Sequence, residues 1–201
     1  MQVGNFYNNG SARNPLSRAE GRTQFSLWCA MKSPLLIGTD LTIADHDTFA
    51  VLANHEAIAI NQDALGLQAR LINDTATATH VHEHVHALDG ASPSTTTSSP
   101  EQPLVWAGPL HNGDKVLALV NQDAVHAVNI TTDLGKVFGR DHGVSGDDGA
   151  DGNPPASASG SGSGSFDARD IWAAKDIGTL SGVVSFVVEP HDTRFLRLTP
   201  R

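Results

Sequence analysis

The stretch from Arg22 to Asp40, RTQFSLWCAMKSPLLIGTD, limits what this chain can fold into more than any other. Just upstream, Ser17 and Glu20 stand at capping-box spacing, in which each side chain satisfies the other residue's backbone N–H, so a helix should start near Ser17. Phe25, Trp28 and Cys29 recur at helical spacing and should share one buried face, with Arg18, Arg22 and Lys32 left to water. Pro34 stops the helix. Leu35, Leu36 and Ile37 follow with no polar residue among them, and a strand apolar on both faces belongs inside a parallel sheet covered by helices. Asp40 then stands where that strand ends. A second helix is expected over Asp45 to Asn54, with Phe49 and Leu52 pointing inward and Asn54 as its stop. This order of helix, strand and helix is that of an α/β fold.

Ala57 to Ile60 alternates small and branched residues and leads into Asn61-Gln62-Asp63-Ala64-Leu65-Gly66. A polar turn closed by a glycine makes a hinge between two parts of a chain. From Leu104 onward the apolar period becomes two. Trp106 to Leu110, the Asn112-Gly113 turn and Val116 to Val120 predict a β-hairpin. Further strands are expected over Val125 to Ile130, Ala168 to Trp172, Val183 to Val188 and Arg194 to Leu198. About six antiparallel strands joined by polar loops describe a sandwich. Between them, Val137 to Ser165 carries Gly-Asp-Asp-Gly, Pro-Pro and a Gly/Ser repeat, the composition of a flexible insertion.

A net charge of −9 argues against nucleic acid as a partner, since phosphate binding wants clustered Lys and Arg. No apolar run approaches the roughly 18 residues of a membrane span. A single cysteine, Cys29, allows no internal disulfide and reads as a small core residue on the apolar face of its helix.

RTQFSLWCAMKSPLLIGTDL, followed by Ala57-Ile58-Ala59-Ile60-Asn61-Gln62-Asp63 and Leu65-Gly66, closely resembles the α-galactosidases (melibiases), a family of retaining glycoside hydrolases. Trp106-Ala107-Gly108-Pro109-Leu110, Ala118-Leu119-Val120-Asn121, Arg169-Asp170-Ile171-Trp172, Pro190-His191 and Leu196-Arg197-Leu198-Thr199-Pro200 resemble that family's C-terminal β-sandwich. The resemblance implies an α+β fragment: the last βα units of a (β/α)8 barrel, then an antiparallel β-sandwich. Residues 1–63 would be the barrel remnant and 64–201 the sandwich, with flexible insertions near 73–103 and 139–166. A complete barrel of this kind takes about 250 residues by itself. Val3-Gly4-Asn5 matches the tail of the family's motif at the end of the seventh barrel strand. The resemblance thus puts the motif's sugar-binding aspartate and both catalytic aspartates upstream of Met1.

The implied activity is hydrolysis of terminal non-reducing α-D-galactose from oligosaccharides and glycoconjugates in the complete form, with the 201-residue chain alone inactive. The alternatives are α-N-acetylgalactosaminidase of the same family, whose distinguishing pocket residues are also upstream, and a non-catalytic carbohydrate-binding or interaction module. Retaining hydrolysis needs two carboxyl groups about 5–5.5 Å apart, one ionised and one protonated. Near the barrel piece the carboxylates are Glu20, Asp40, Asp45, Asp47, Glu56 and Asp63. Glu20 reads as a capping residue, and Asp45 or Asp47 as the cap of the next helix. Asp40 is either an orienter near a sugar pocket or, as preferred, a carboxylate bonding loop N–H groups.

His80-Val81-His82-Glu83-His84-Val85-His86 places alternating imidazoles along one strand face. Neutral imidazole binds zinc or nickel, but residues two apart on a strand are about 6.6 Å apart, too far for more than two to close on one ion. The preferred reading is an edge strand with a solvated histidine face, continuing into a Ser/Thr/Pro tether over 92–100. Trp106 and Trp172 are a sugar-stacking platform or, as preferred, core filling. Arg169-Asp170 should pair within the sheet. Sequons at Asn9, Asn73 and Asn129 allow glycosylation, and the resemblance leaves the parent's compartment open among secreted, vacuolar and lysosomal. No residue is assigned a catalytic, substrate-binding or metal-ligating role, and no cofactor is expected. The substrate partner is an α-galactoside.

Overall fold

A computed structural model of the chain describes residue 3 and residues 16–72, 76–81, 100–139 and 164–201. Helix α1 spans Arg18–Ala30 and opens on the expected capping box: the Glu20 N–H donates to Ser17 Oγ at 3.2 Å and the Ser17 N–H to Glu20 Oε2 at 2.6 Å. Phe25 and Cys29 are buried with Ala30, whereas Trp28 is only half-buried. Two cations expected in water are partly covered instead. Arg22 pairs with Asp192, and Lys32 Nζ donates to the Ile60 carbonyl.

Leu35, Leu36 and Ile37 do not form a strand. Leu36 and Ile37 are 75% and 50% exposed, and the segment takes an irregular path in which the Leu36 N–H donates to the Pro34 carbonyl at 2.8 Å. A strand apolar on both faces needs paired neighbours and cover on each side, and none of the strand pairs among the described residues, all antiparallel, includes this segment. Helix α2 covers His46–Leu52 and is capped by Asp45, whose Oδ1 accepts the Thr48 N–H at 2.7 Å. It buries Thr48, Val51 and Leu52 but leaves Phe49 43% exposed, contrary to the inward role expected for Phe49. Asn54 does not simply end α2. It caps α3, His55–Asn61, so the alternating Ala57 to Ile60 is one helical turn with Ala57 and Ile60 buried.

Beyond Gly66 (φ 67°) the chain is β-rich. Strands β1 (Arg70–Leu71), β2 (Ala76–His80), β3 (Leu104–Pro109), β4 (Lys115–Val120) and β5 (Val128–Asp133) precede the short helix α4 (Leu134–Phe138). Strands β6 (Ser165–Asp170), β7 (Lys175–Ser181), β8 (Val183–Val188) and β9 (Thr193–Pro200) follow. They form a six-stranded sheet, ordered β1-β3-β4-β9-β6-β7, and a three-stranded sheet, ordered β2-β5-β8. The β3–β4 turn is the expected one, with Asn112 and Gly113 at φ 62° and 86°. Strand β2 lies inside the stretch expected as an insertion, and α4, with Val137 buried, lies at the edge of the other.

Two cores sandwich the larger sheet. Val116, Ala118 and Phe195 face α1–α3 and pack with Phe25, Cys29, Val51 and Ile60. Leu117, Leu119, Leu196 and Leu198 face the smaller sheet and pack with Val128, Ile130 and Val188. The uninterrupted apolar run of β4 is explained by this double cover rather than by a parallel neighbour. The hinge is pinned rather than loose: Asp63 accepts the Leu65 N–H at 3.1 Å and the His111 N–H at 2.9 Å, and the Ala69 N–H donates to the Ala30 carbonyl at 2.8 Å.

Candidate functional site

Each of the six carboxylates near the helices has a local partner. Glu20 caps α1, Asp45 caps α2, and Asp47 pairs with Arg18 at 3.0 Å. Asp40 Oδ1 accepts the N–H of Thr42 at 2.9 Å and its hydroxyl at 2.6 Å, the loop-bonding role preferred for it. Glu56 meets Arg169 through two bonds of 2.8 and 2.7 Å, and Asp63 holds the hinge. Hydrogen bonds from Thr42 hold the Asp40 carboxyl below its ordinary value, those from Thr48 do the same for Asp45, and the Arg169 guanidinium does so for Glu56. The Ser17 backbone N–H lowers Glu20 likewise. These four are anions at neutral pH, suited to accepting hydrogen bonds and not to delivering a proton.

Where α1 meets the larger sheet there is a cleft of about 320 Å3, lined among others by Arg22, Asp170, Trp172, Asp192 and Arg194. Two ion pairs line it, Arg22 with Asp192 and Arg194 with Asp170, and Glu189 adds a third carboxylate. Arg169 thus pairs partly within the sheet, with Asp176 at 3.2 Å, but chiefly outward to Glu56 on α3, while Asp170 pairs within the sheet as expected. Trp172 packs on Phe25 at 6.3 Å between ring centroids and donates its indole N–H to Ser26 Oγ at 2.9 Å. Trp106 packs into the same core, with its indole nitrogen buried and unbonded. Cys29 is fully buried, and burial pushes its thiol up to about 12, so it is no nucleophile.

A second group of side chains gathers at the other sheet. His80, the last residue of β2, lies with Nε2 3.1 Å from Asp123 Oδ2, and His126 Nδ1 is 3.3 Å from Asp123 Oδ1. The sequence pattern pointed to imidazoles in one strand, but His80 finds its partners across the fold. His82, His84, His86, the 92–99 part of the tether, Gly4-Asn5 and the sequons at Asn9 and Asn73 lie outside the described residues. Asp123 and His126 were missed because their nearness to His80 is created only by the pairing of β2 with β5.

Two family models match the chain: "Alpha galactosidase A" over residues 10–63, and "Alpha galactosidase C-terminal beta sandwich domain" over residues 101–198. The α-galactosidase of Oryza sativa subsp. japonica is 31% identical over 185 residues, which cover 92% of this chain and 33% of that protein. That of Coffea arabica is 31% identical over 186 residues, covering 92% of this chain and 37% of its own length. The chain belongs to the α-galactosidase family.

It spans about a third of the length of these curated α-galactosidase relatives. The solved α-galactosidase of Saccharomyces cerevisiae with raffinose superposes at a TM-score of 0.67 and 21% identity, over 99% of this chain and 45% of that one, which speaks to the fold alone. The α-galactosidase sandwich match takes in β3 to β9, and β1 and β2 fall between the two matched segments.

Proposed function

We propose that residues 1–63 are the closing βα units of a (β/α)8 barrel and residues 64–201 the sandwich attached to it. Residues near 73–103 and 139–166 would be insertions, from which β2 has been drawn into the smaller sheet. The whole enzyme would hydrolyse terminal α-linked galactose by a retaining double displacement. One observation carries this: both family models match, in order, along a single chain, first 10–63 and then 101–198. That these relatives are α-galactosidases supports galactose as the sugar.

The surface agrees with a barrel role for the first part. Leu36, Ile37, Leu41, Ile43 and Phe49 are all at least 43% exposed within a short stretch, the apolar remainder that neighbouring barrel strands would cover. The chemistry agrees as well. Double displacement needs one carboxyl kept protonated and another poised as nucleophile, and the six local carboxylates cap helices, bond turns or pair with arginines. On this reading neither member of the catalytic pair is among these six.

The test is hydrolysis of p-nitrophenyl α-D-galactopyranoside by the 201-residue chain alone and by the same chain fused behind the preceding part of the Coffea arabica α-galactosidase. The chain alone should show no turnover above a blank, and the fusion should turn over. Turnover by the chain alone that disappears in Asp40→Asn or Glu56→Gln would overturn the proposal.

A further inference from the structure

The group at His80 is built more firmly than a surface ion pair. Asn121, 2% exposed at the end of β4, donates through Nδ2 to the carbonyls of His126, Val188 and Glu189 at 2.9, 3.1 and 3.0 Å. Its Oδ1 accepts the Asp123 N–H at 2.8 Å, and the Asp123 carbonyl accepts the His191 N–H at 3.2 Å. Asp123 Oδ1 in turn accepts the N–H groups of Val125 and His126, both at 2.8 Å, which hold the carboxyl well below its ordinary range and leave Oδ2 facing His80. This turn is also why β5 begins at Val128 and not at Val125. His80 is fixed by pairing with Val128, and the next N–H, that of Val81, donates to the Ala127 carbonyl at 3.0 Å.

We propose that His80, Asp123 and His126 form a three-ligand site for a divalent transition metal of zinc type, tying strand β2 to the β4–β5 loop. The three ligand atoms all lie within 4.8 Å of one another. A tetrahedral zinc ion with nitrogen and oxygen at about 2.0–2.2 Å spaces its ligand atoms about 3.3–3.5 Å apart. Measured to the same oxygen, Asp123 Oδ2, His80 Nε2 lies at 3.1 Å and His126 Nδ1 at 3.4 Å, already near that spacing. The remaining edge closes by rotation of the His126 ring, which has the freedom to turn because its side chain is 52% exposed. Two imidazoles and one carboxylate suit zinc, cobalt or nickel rather than calcium or magnesium. The exposed side of His126 leaves the fourth position to water. The imidazoles, with ring centroids 4.7 Å apart, bind as neutral ligands, and any proton that they carry is released to solvent on binding.

Calorimetric titration of the metal-free 201-residue chain with zinc chloride, and the visible absorption of its cobalt form, test the site. His82→Gln/His84→Gln/His86→Gln removes the neighbouring imidazoles of the sequence tract. Asp123→Asn keeps an oxygen for the Val125 and His126 N–H groups while removing the ligand charge, and His126→Gln changes an exposed side chain. The expected result is one equivalent of zinc in the wild type and in the triple variant, a raised melting midpoint with zinc, and affinity weakened more than about tenfold in Asp123→Asn and in His126→Gln. Affinity unchanged in both of these variants would overturn the proposal. So would zinc binding that vanishes in the triple variant alone.

Discussion

Gly108 in β3 has no room for a side chain. A Cβ there would come 2.7 Å from Ala69 Cα, where the segment after the hinge crosses the sheet. Gly108→Ala must push that backbone away, and urea unfolding should show a loss of about 1–3 kcal/mol. Glu56 and Arg169 tie α3 to β6 through a two-pronged pair with side chains 31% and 28% exposed. Such a pair contributes about 1 kcal/mol or less at a partly wet site. Arg169 holds the Glu56 carboxyl below its ordinary 4.5, so its stabilisation is complete above that pH and is lost as pH falls through the lowered value. The melting midpoint of Glu56→Gln should therefore fall less on acidification from pH 7 to 3 than that of the wild type. The Arg169–Glu56 bond could not be read from sequence, because 113 residues separate the partners. Cys29 could be, since its helical register alone put it on the buried face.

Elements defined by neighbours in the chain were legible, and elements defined by neighbours in space were not. The Ser17–Glu20 box and the Asn112-Gly113 turn act within three residues and are present as expected. Strand β7 escaped notice because Lys175–Ser181 sits at a sheet edge, with only Ile177 and Leu180 packed inward. Strand β2, Ala76–His80, has no branched aliphatic residue and owes its form to its ladder with β5. Leu35 to Ile37 shows the reverse: a strand-like composition without strands beside it. Limited proteolysis with chymotrypsin should thus cut between Leu36 and Ile43, where most residues are exposed, before it cuts within α1. Early cleavage within α1 would contradict the packing of Phe25 and Cys29. His80 with Asp123 was the part of the candidate site most hidden from sequence, because the two stand 43 positions apart and meet only through the fold.

At the scale of the whole molecule, three layers stack in order: helices, the larger sheet, the smaller sheet. Arg22 with Asp192, Thr23 with His191 and Thr193, and Trp172 with Ser26 fasten the first layer to the second. Scanning calorimetry should accordingly record one cooperative transition for the described layers, and two separated endotherms would contradict the stacking. The double-sided burial of β4 has a further cost. A fragment holding only residues 64–201 would leave Val116, Ala118 and Phe195 bare on a flat, oily wall, and bare walls of that kind find each other. Sedimentation of that fragment should reveal stronger self-association than the longer chain shows, so the sandwich, for all its regular strands, is no free-standing tile.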